Sequence, residues 1–270
     1  MVKKKVLFVF QEIMPYLPES HMSKIGRFLP QKIQEAGKEI RVFMPRFGLV
    51  NERRNQLHEV IRLSGMNLII EEIDHPLIIK VASIQQARMQ VYFIENEDYF
   101  HRKFIFRDKN GVFFKDNDER TIFFSKGVLE TVKKLGWAPD IIHCHGWFSG
   151  LIPLYLKTAY SNNPLFSDVK LVISLYNDGF EESFSKDFAN KIKMSGIPDD
   201  VLPYYNEGNY VSFMKNAMNF ADAFIVGDEN INEELLDYAK QSGKPLLDYQ
   251  GDENYFEAFN RFYDQIIENN

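Results

Sequence analysis

Lys5-Val6-Leu7-Phe8-Val9-Phe10 is the stretch on which the fold turns. Its apolar run does not alternate with polar residues, as expected of a parallel strand buried on both faces. A helix is expected over 23–36, where Ile25, Phe28, Leu29, Ile33 and Ala36 recur at helical spacing. Ser23 reads as its cap, Pro30 as a kink and Gly37 as its end. Glu39–Met44 then forms a second strand, which completes a βαβ unit within the first forty-five residues.

Further along, 57–94 changes character. Leu77–Ile84 and Met89–Ile94 read as a hairpin around Gln85–Arg88, an antiparallel extension of the sheet. From 117 the alternation resumes: a helix capped by Asn117 and ended by Gly136, a strand Asp140–Cys144, a helix over 147–160 and a strand Lys170–Leu175. Helices over 210–220 and 230–241 flank a strand Ala223–Gly227. A short strand near Pro245–Tyr249 precedes a terminal helix carrying Tyr255, Phe259, Phe262 and Ile266. The pattern predicts an α/β fold: a Rossmann-like, doubly wound, mostly parallel sheet whose ligands bind beyond the carboxyl ends of the strands.

The 270 residues carry 32 Lys+Arg against 38 Asp+Glu, a net charge of −6 that argues against a nucleic-acid binder. With 45% hydrophobic residues the chain has the means to build a core. The single cysteine, Cys144, forms no internal disulfide and supplies no zinc framework. No signal-peptide core or membrane span is visible, so a soluble, cytoplasmic protein is expected. Neither GxGxxG nor GxxxxGK[S/T] occurs, and GxSxG and HExxH are also absent. No cofactor and no metal are expected.

Residues two apart on a strand share a face, so His143 and His145 project together at a strand end, with Cys144 opposite. The pair reads as cleft lining, as hydrogen-bonded core histidines, or as part of a metal site that lacks a neighbouring third ligand. Asp116-Asn117-Asp118-Glu119 contains a D-x-D, but its place before a helix favours capping. Phe113-Phe114 and Tyr204-Tyr205 read as core aromatics, with stacking on sugar rings as the alternative.

Several blocks together resemble bacterial glycogen synthases and plant starch synthases. Lys5 to Tyr16, then Leu29-Pro30 and Arg41-Val42-Phe43-Met44-Pro45-Arg46, are similar to the family's K-V-L-F-V-x-S-E-x-x-P-[FY], A-L-P and P-[RK]-Y. Pro139-Asp140-Ile141-Ile142-His143-Cys144-His145-Gly146-Trp147-Phe148, continuing to Lys157, is similar to its P-D-[IV]-[IV]-H-x-H-D-W-H-[TA]-x-L-x-P. Asp116-Asn117 with Arg120 matches D-N-x-x-R-F, and Phe213–Asp222 matches x-L-K-x-x-x-x-Y-A-D. The resemblance implies one half of a GT-B glycosyltransferase, a fold of two Rossmann-like domains facing across a cleft. The family transfers glucose from ADP-glucose or UDP-glucose to an α-1,4-glucan.

Against that family, the first domain is expected over 1–250, with 251–270 a helix packing back on it. About forty residues follow Ala223–Gly227, too few for the donor-binding domain. At the K-x-G-G donor-phosphate loop the chain reads Pro18-Glu19-Ser20-His21, with the lysine and both glycines replaced. Phe148 stands where the family has a sugar-contacting histidine, Gly146 where it has aspartate, and Tyr176-Asn177 where it reads H-N. Glu12, His143, His145, Trp147, Tyr176 and Asn177 are the residues expected at the cleft. An α-glucan acceptor is the expected partner. ADP-glucose or UDP-glucose would be held poorly, so the chain alone is expected to transfer little glucose. The alternatives are a non-catalytic glucan-binding or regulatory module, a subunit completed by a separate donor-domain protein, and a homodimer.

Overall fold

The computed structural model describes residues 3–253 and 255–268, so Asn254, Asn269 and Asn270 of the expected terminal segment lie outside the described residues. Its strands in chain order are β1 Lys5–Phe10, β2 Glu39–Pro45, β3 His58–Glu59, β4 Met66–Ile70, β5 Ile73–Ile84, β6 Met89–Glu95, β7 Ile141–His145, β8 Lys170–Leu175, β9 Ala223–Val226 and β10 Leu246–Leu247. The helices are α1 His21–Glu35, α2 Glu52–Asn55, α3 Glu97–Phe100, α4 Asn117–Leu135, α5 Ile152–Lys157, α6 Phe188–Lys191, α7 Tyr210–Phe220, α8 Glu233–Gln241 and α9 Tyr255–Glu268. The sheet order is β10-β9-β8-β7-β1-β2-β6-β5-β3, with β4 paired to β5. From β10 to β6 every pairing is parallel, and β5, β3 and β4 join antiparallel. This is the expected doubly wound sheet with its antiparallel extension.

Register separates the two faces. Val9, Phe43 and Tyr92 share one face with Cys144, and Phe8 shares the other with His143. Gly127 of α4 lies so close to Ile94 that a Cβ would overlap it, which places α4 on the Cys144 face. Helices α4, α5, α7 and α8 form a contiguous series of contacts. Helix α9 covers the His143 face beside α1. Its Phe259, Phe262, Tyr263 and Ile266 recur at i, i+3, i+4 and i+7 and are all buried. Lys38, itself buried, ties α9 down by donating to Asn260 Oδ1 at 2.8 Å and pairing with Asp264 at 2.7 Å.

Local starts and stops differ from the sequence reading in instructive ways. Helix α1 begins at His21, capped by Ser20. Ser23 is the reciprocal member of a capping box, its Oγ accepting from the Ser20 N–H at 2.7 Å. The helix continues through Pro30 to Glu35, and Gly37 follows at φ +98. Asn117 is the first residue of α4 rather than its cap. Its amide instead donates to the Phe106 carbonyl, and its Oδ1 accepts from Arg120. The helix expected over 147–160 divides into a tight turn at Trp147–Ser149 and α5, because Gly150 packs against Phe213 and Pro153 lacks an N–H.

Phe262→Ala should destabilise the protein by about 3–5 kcal/mol through the cavity beneath α9. Tyr263→Phe should cost about 1–3 kcal/mol, since it leaves a buried imidazole nitrogen without a partner. Urea unfolding of the two variants measures both.

Candidate functional site

The carboxyl ends of β1, β7, β8 and β9 meet at one edge of the sheet, and beneath it lies the histidine pair. The rings of His143 and His145 are 3.8 Å apart, and both are fully buried. His143 is hydrogen-bonded through Nδ1 to the Tyr263 hydroxyl and through Nε2 to Ser174 Oγ, each at 2.7 Å. His145 pairs through Nδ1 with the Tyr176 hydroxyl at 2.7 Å, and its ring stacks on Phe10 at 3.8 Å. Burial pushes the His143 pKa down to about 3. Burial and then the neighbouring His143 hold His145 well below its ordinary value. Both imidazoles are therefore neutral at physiological pH. The structure places them in a tyrosine–serine network under α9, away from any open cleft. Cys144, on the other face, has its thiol pushed up to about 12 by burial, which removes it as a nucleophile.

Trp147 is also interior, packed among Phe106, Phe113, Phe180 and Phe184. Its N–H donates to Asp178 Oδ2 at 2.9 Å, while the Tyr210 hydroxyl donates to Asp178 Oδ1 at 3.0 Å. Burial raises the Asp178 pKa to about 6. Phe148 is wholly buried against Phe47, Phe100, Phe106 and Phe124, so that position belongs to the core.

The loop before α1 is closed on itself. Ser20 and Ser23 satisfy each other's N–H groups, and the Ser20 hydroxyl donates to Glu12 Oε2 at 2.6 Å. His21 Nε2 donates to the Gly227 carbonyl at 2.7 Å. Glu19 is exposed and pairs with Lys24 at 2.6 Å, and Pro18 is exposed beside it. Tyr176 packs its ring on Gly227, where a Cβ would come within 2.9 Å of it. Together with His21, Tyr249, Tyr255 and Phe259 it encloses a void of only about 10 Å³.

Asn177 is exposed and opens onto a cleft of about 500 Å³. Tyr176, Phe180 and Tyr210 supply aromatic walls. Asn177, Asn209, Asn230, Asn232 and Glu181 supply polar groups, and among the described residues no cationic side chain lines the cleft. Of the expected site residues, Tyr176 and Asn177 reach this cleft. Glu12, Ser20 and His21 cluster at the loop, while His143, His145 and Trp147 lie behind.

The sequence reading missed Gln11, Asp178 and three of the cleft asparagines, Asn209, Asn230 and Asn232. Asp178 lies three residues beyond the end of β8, and Asn209 and Asn232 immediately precede helices they cap, so position was the available signal. Neither acid of the D-x-D caps α4 from the preceding residue: Asp116 pairs with Arg102, and buried Asp118 accepts from Ser185 and faces Lys191 at 3.2 Å. Among the described residues no group of three or more His, Cys, Asp or Glu side chains is placed to hold a metal. Phe113 and Tyr205 are core, while Tyr204 is 65% exposed. No described helix is long and apolar enough to cross a membrane.

The fold is that of one Rossmann-like half of a GT-B glycosyltransferase. The catalytic domain of starch synthase IV from Arabidopsis thaliana, solved with ADP and acarbose, matches 83% of this chain and 45% of its own, with TM-score 0.67 and 18% identity. The chain belongs to the starch synthase catalytic-domain family, which matches residues 5–248. A glycogen synthase of Chlorobium limicola is 44% identical over 234 residues, covering 86% of this chain and 47% of its own. One from Chlorobaculum tepidum is 36% identical over 235 residues, with the same shares of each chain covered. The chain thus spans about half the length of these curated relatives.

Gly146 has φ +83, and a Cβ there would overlap the Gln11 side chain, whose Oε1 accepts from the Phe148 N–H at 3.2 Å. Gly146→Asp should cost about 2–4 kcal/mol from backbone strain and overlap together. Adding Gln11→Ser should recover the overlap part, as a double-mutant cycle will measure.

The imidazoles are neutral in the fold and titrate near pH 6.5 when unfolded, so below that pH the unfolded chain binds more protons. Stability should fall as pH drops below about 6.5, by at most about 1.4 kcal/mol per pH unit for each imidazole. Below about pH 6 Asp178 opposes this, because there the folded state holds the extra proton. Urea midpoints that do not change between neutral and mildly acidic pH would contradict the neutral pair.

Proposed function

We propose that this unit carries the acceptor side of a glycogen or starch synthase, binding α-1,4-glucan at the Asn177 cleft, and that it does not by itself hold a nucleotide-sugar diphosphate. The observation that carries the reading is the lining of that cleft. Amide groups and one carboxylate offer donors and acceptors to sugar hydroxyls, and the largely buried rings of Phe180 and Tyr210 add a little apolar surface. Without a cation in its wall, such a cleft suits a neutral polyol better than a phosphate.

The loop at Pro18–His21 supports the second half of the reading. A helix N-terminus attracts phosphate through free N–H groups and the helix dipole. Here the Ser20 and Ser23 N–H groups bond within the capping box, and the Lys24 N–H returns to the Ser20 carbonyl. Glu12 and Glu19 add negative charge, and Lys24 is already paired. A diphosphate brought to this loop would meet carboxylates where the family's motif supplies a lysine. Transfer of glucose needs that leaving-group charge stabilised, so the unit alone transfers poorly or not at all.

Calorimetry with maltohexaose and then ADP-glucose tests both halves. Maltohexaose should bind in the millimolar range, and Asn177→Ala should weaken it about tenfold through the lost hydrogen bonds. ADP-glucose should give no saturable heat. Micromolar ADP-glucose binding, or no maltohexaose binding at tens of millimolar, would overturn the reading.

A further inference from the structure

Away from the strand ends, a cavity of about 570 Å³ opens between β4, α4 and the segments that follow α5 and α6. Met66, Leu68, Tyr160 and Met194 make much of its wall apolar. Lys126 enters from α4 and is only 5% exposed. Its Nζ donates to the Ile69 carbonyl at 3.0 Å and lies 5.6 Å from the centre of the Tyr155 ring. Among the described residues no carboxylate pairs with it. Glu130, one turn along α4, is held by Lys133 through both oxygens at 2.9 Å and accepts from the Tyr160 hydroxyl at 2.6 Å. Lys193, at the rim, pairs with Asp199 at 3.0 Å.

An ammonium has three N–H donors, and this one has a single acceptor and no counter-charge. A buried charge in that condition is costly, and burial pushes the Lys126 pKa down to about 8. The unmatched charge borders a cavity of ordinary ligand size with greasy walls. A phosphate dianion would need more donors than one lysine offers, whereas a carboxylate can take the two N–H groups left over.

We infer that this cavity binds a small monocarboxylate with an apolar body, its carboxylate on Lys126 and its hydrocarbon against Met66, Leu68 and Met194. The site is separate from the glucan cleft and does not rest on that reading.

The test uses hexanoate and 3-phenylpropionate as probes, with 1-hexanol as the neutral control, followed by the methionine methyl resonances of the full chain. Hexanoate should shift Met66 and Met194 saturably and bind about tenfold more tightly than 1-hexanol, the margin of a charge-assisted hydrogen bond. Lys126→Met should lose that margin while unfolding at no lower temperature than the wild type, since it removes an uncompensated buried charge. If hexanol binds as well as hexanoate, if Lys126→Met retains the preference, or if no probe binds, Lys126 only anchors the Ile69 carbonyl and the proposal is wrong.

Discussion

Two imidazoles sealed inside a parallel sheet constrain much of the rest of this structure. Protonated, they would place two like charges 3.8 Å apart in an apolar interior, so the fold must keep them neutral. A buried neutral imidazole still needs hydrogen-bond partners. Three of the four ring nitrogens find partners in distant parts of the chain, Ser174 on β8, Tyr176 beyond the strand end and Tyr263 from α9, while His145 Nε2 has none among the described residues. Seating Tyr263 fixes α9 against the sheet. Seating Tyr176 fixes the turn that follows β8, and with it the positions of Asn177 and Asp178.

From that turn the working surface is built. Asp178 takes the Trp147 N–H from the neighbouring strand end and the Tyr210 hydroxyl from α7, joining three segments through one carboxylate. Gly146 can turn at φ +83 because it has no Cβ, and Gln11 fills the space beside it. The loop before α1 is meanwhile tied inward by its capping box, by Glu12 and by Gly227. The exposed chemistry that remains at the strand ends is mainly amides beside largely buried aromatic rings, which supports the proposed preference for a neutral sugar chain over an anionic donor.

Much of the fold was legible in the sequence because a buried parallel strand announces itself as an unbroken apolar run. Val6–Phe10 and Ala223–Val226 did so, and β8 did over Leu171–Ile173. Strand β4 did not, because its partner β5 begins with Ile73-Asp74-His75-Pro76, which reads as a turn until the register with Met66–Ile70 is known. Helix boundaries shifted by a turn where side chains had competing uses, as with Ser20 against Ser23. At the site, the two-residue spacing was enough to put His143 and His145 on one face. That they lie beneath a helix could not be read locally, since Tyr263 is 120 positions away. Phe148 and Trp147 were obscured in the same way: an aromatic residue at a strand end looks alike whether a ligand or the core covers it.

In the proposed function, the strand ends keep a glucan cleft at Asn177 while the loop before α1 is closed to phosphate. Hydrogen–deuterium exchange with each ligand in turn tests it most directly, because it reports which segments respond. With maltohexaose, peptides covering 176–181, 209–212 and 230–232 should gain protection, and 18–24 should not change; with ADP-glucose, none should. Protection of 18–24 by ADP-glucose, or a maltohexaose footprint that spares 176–181, would contradict the account.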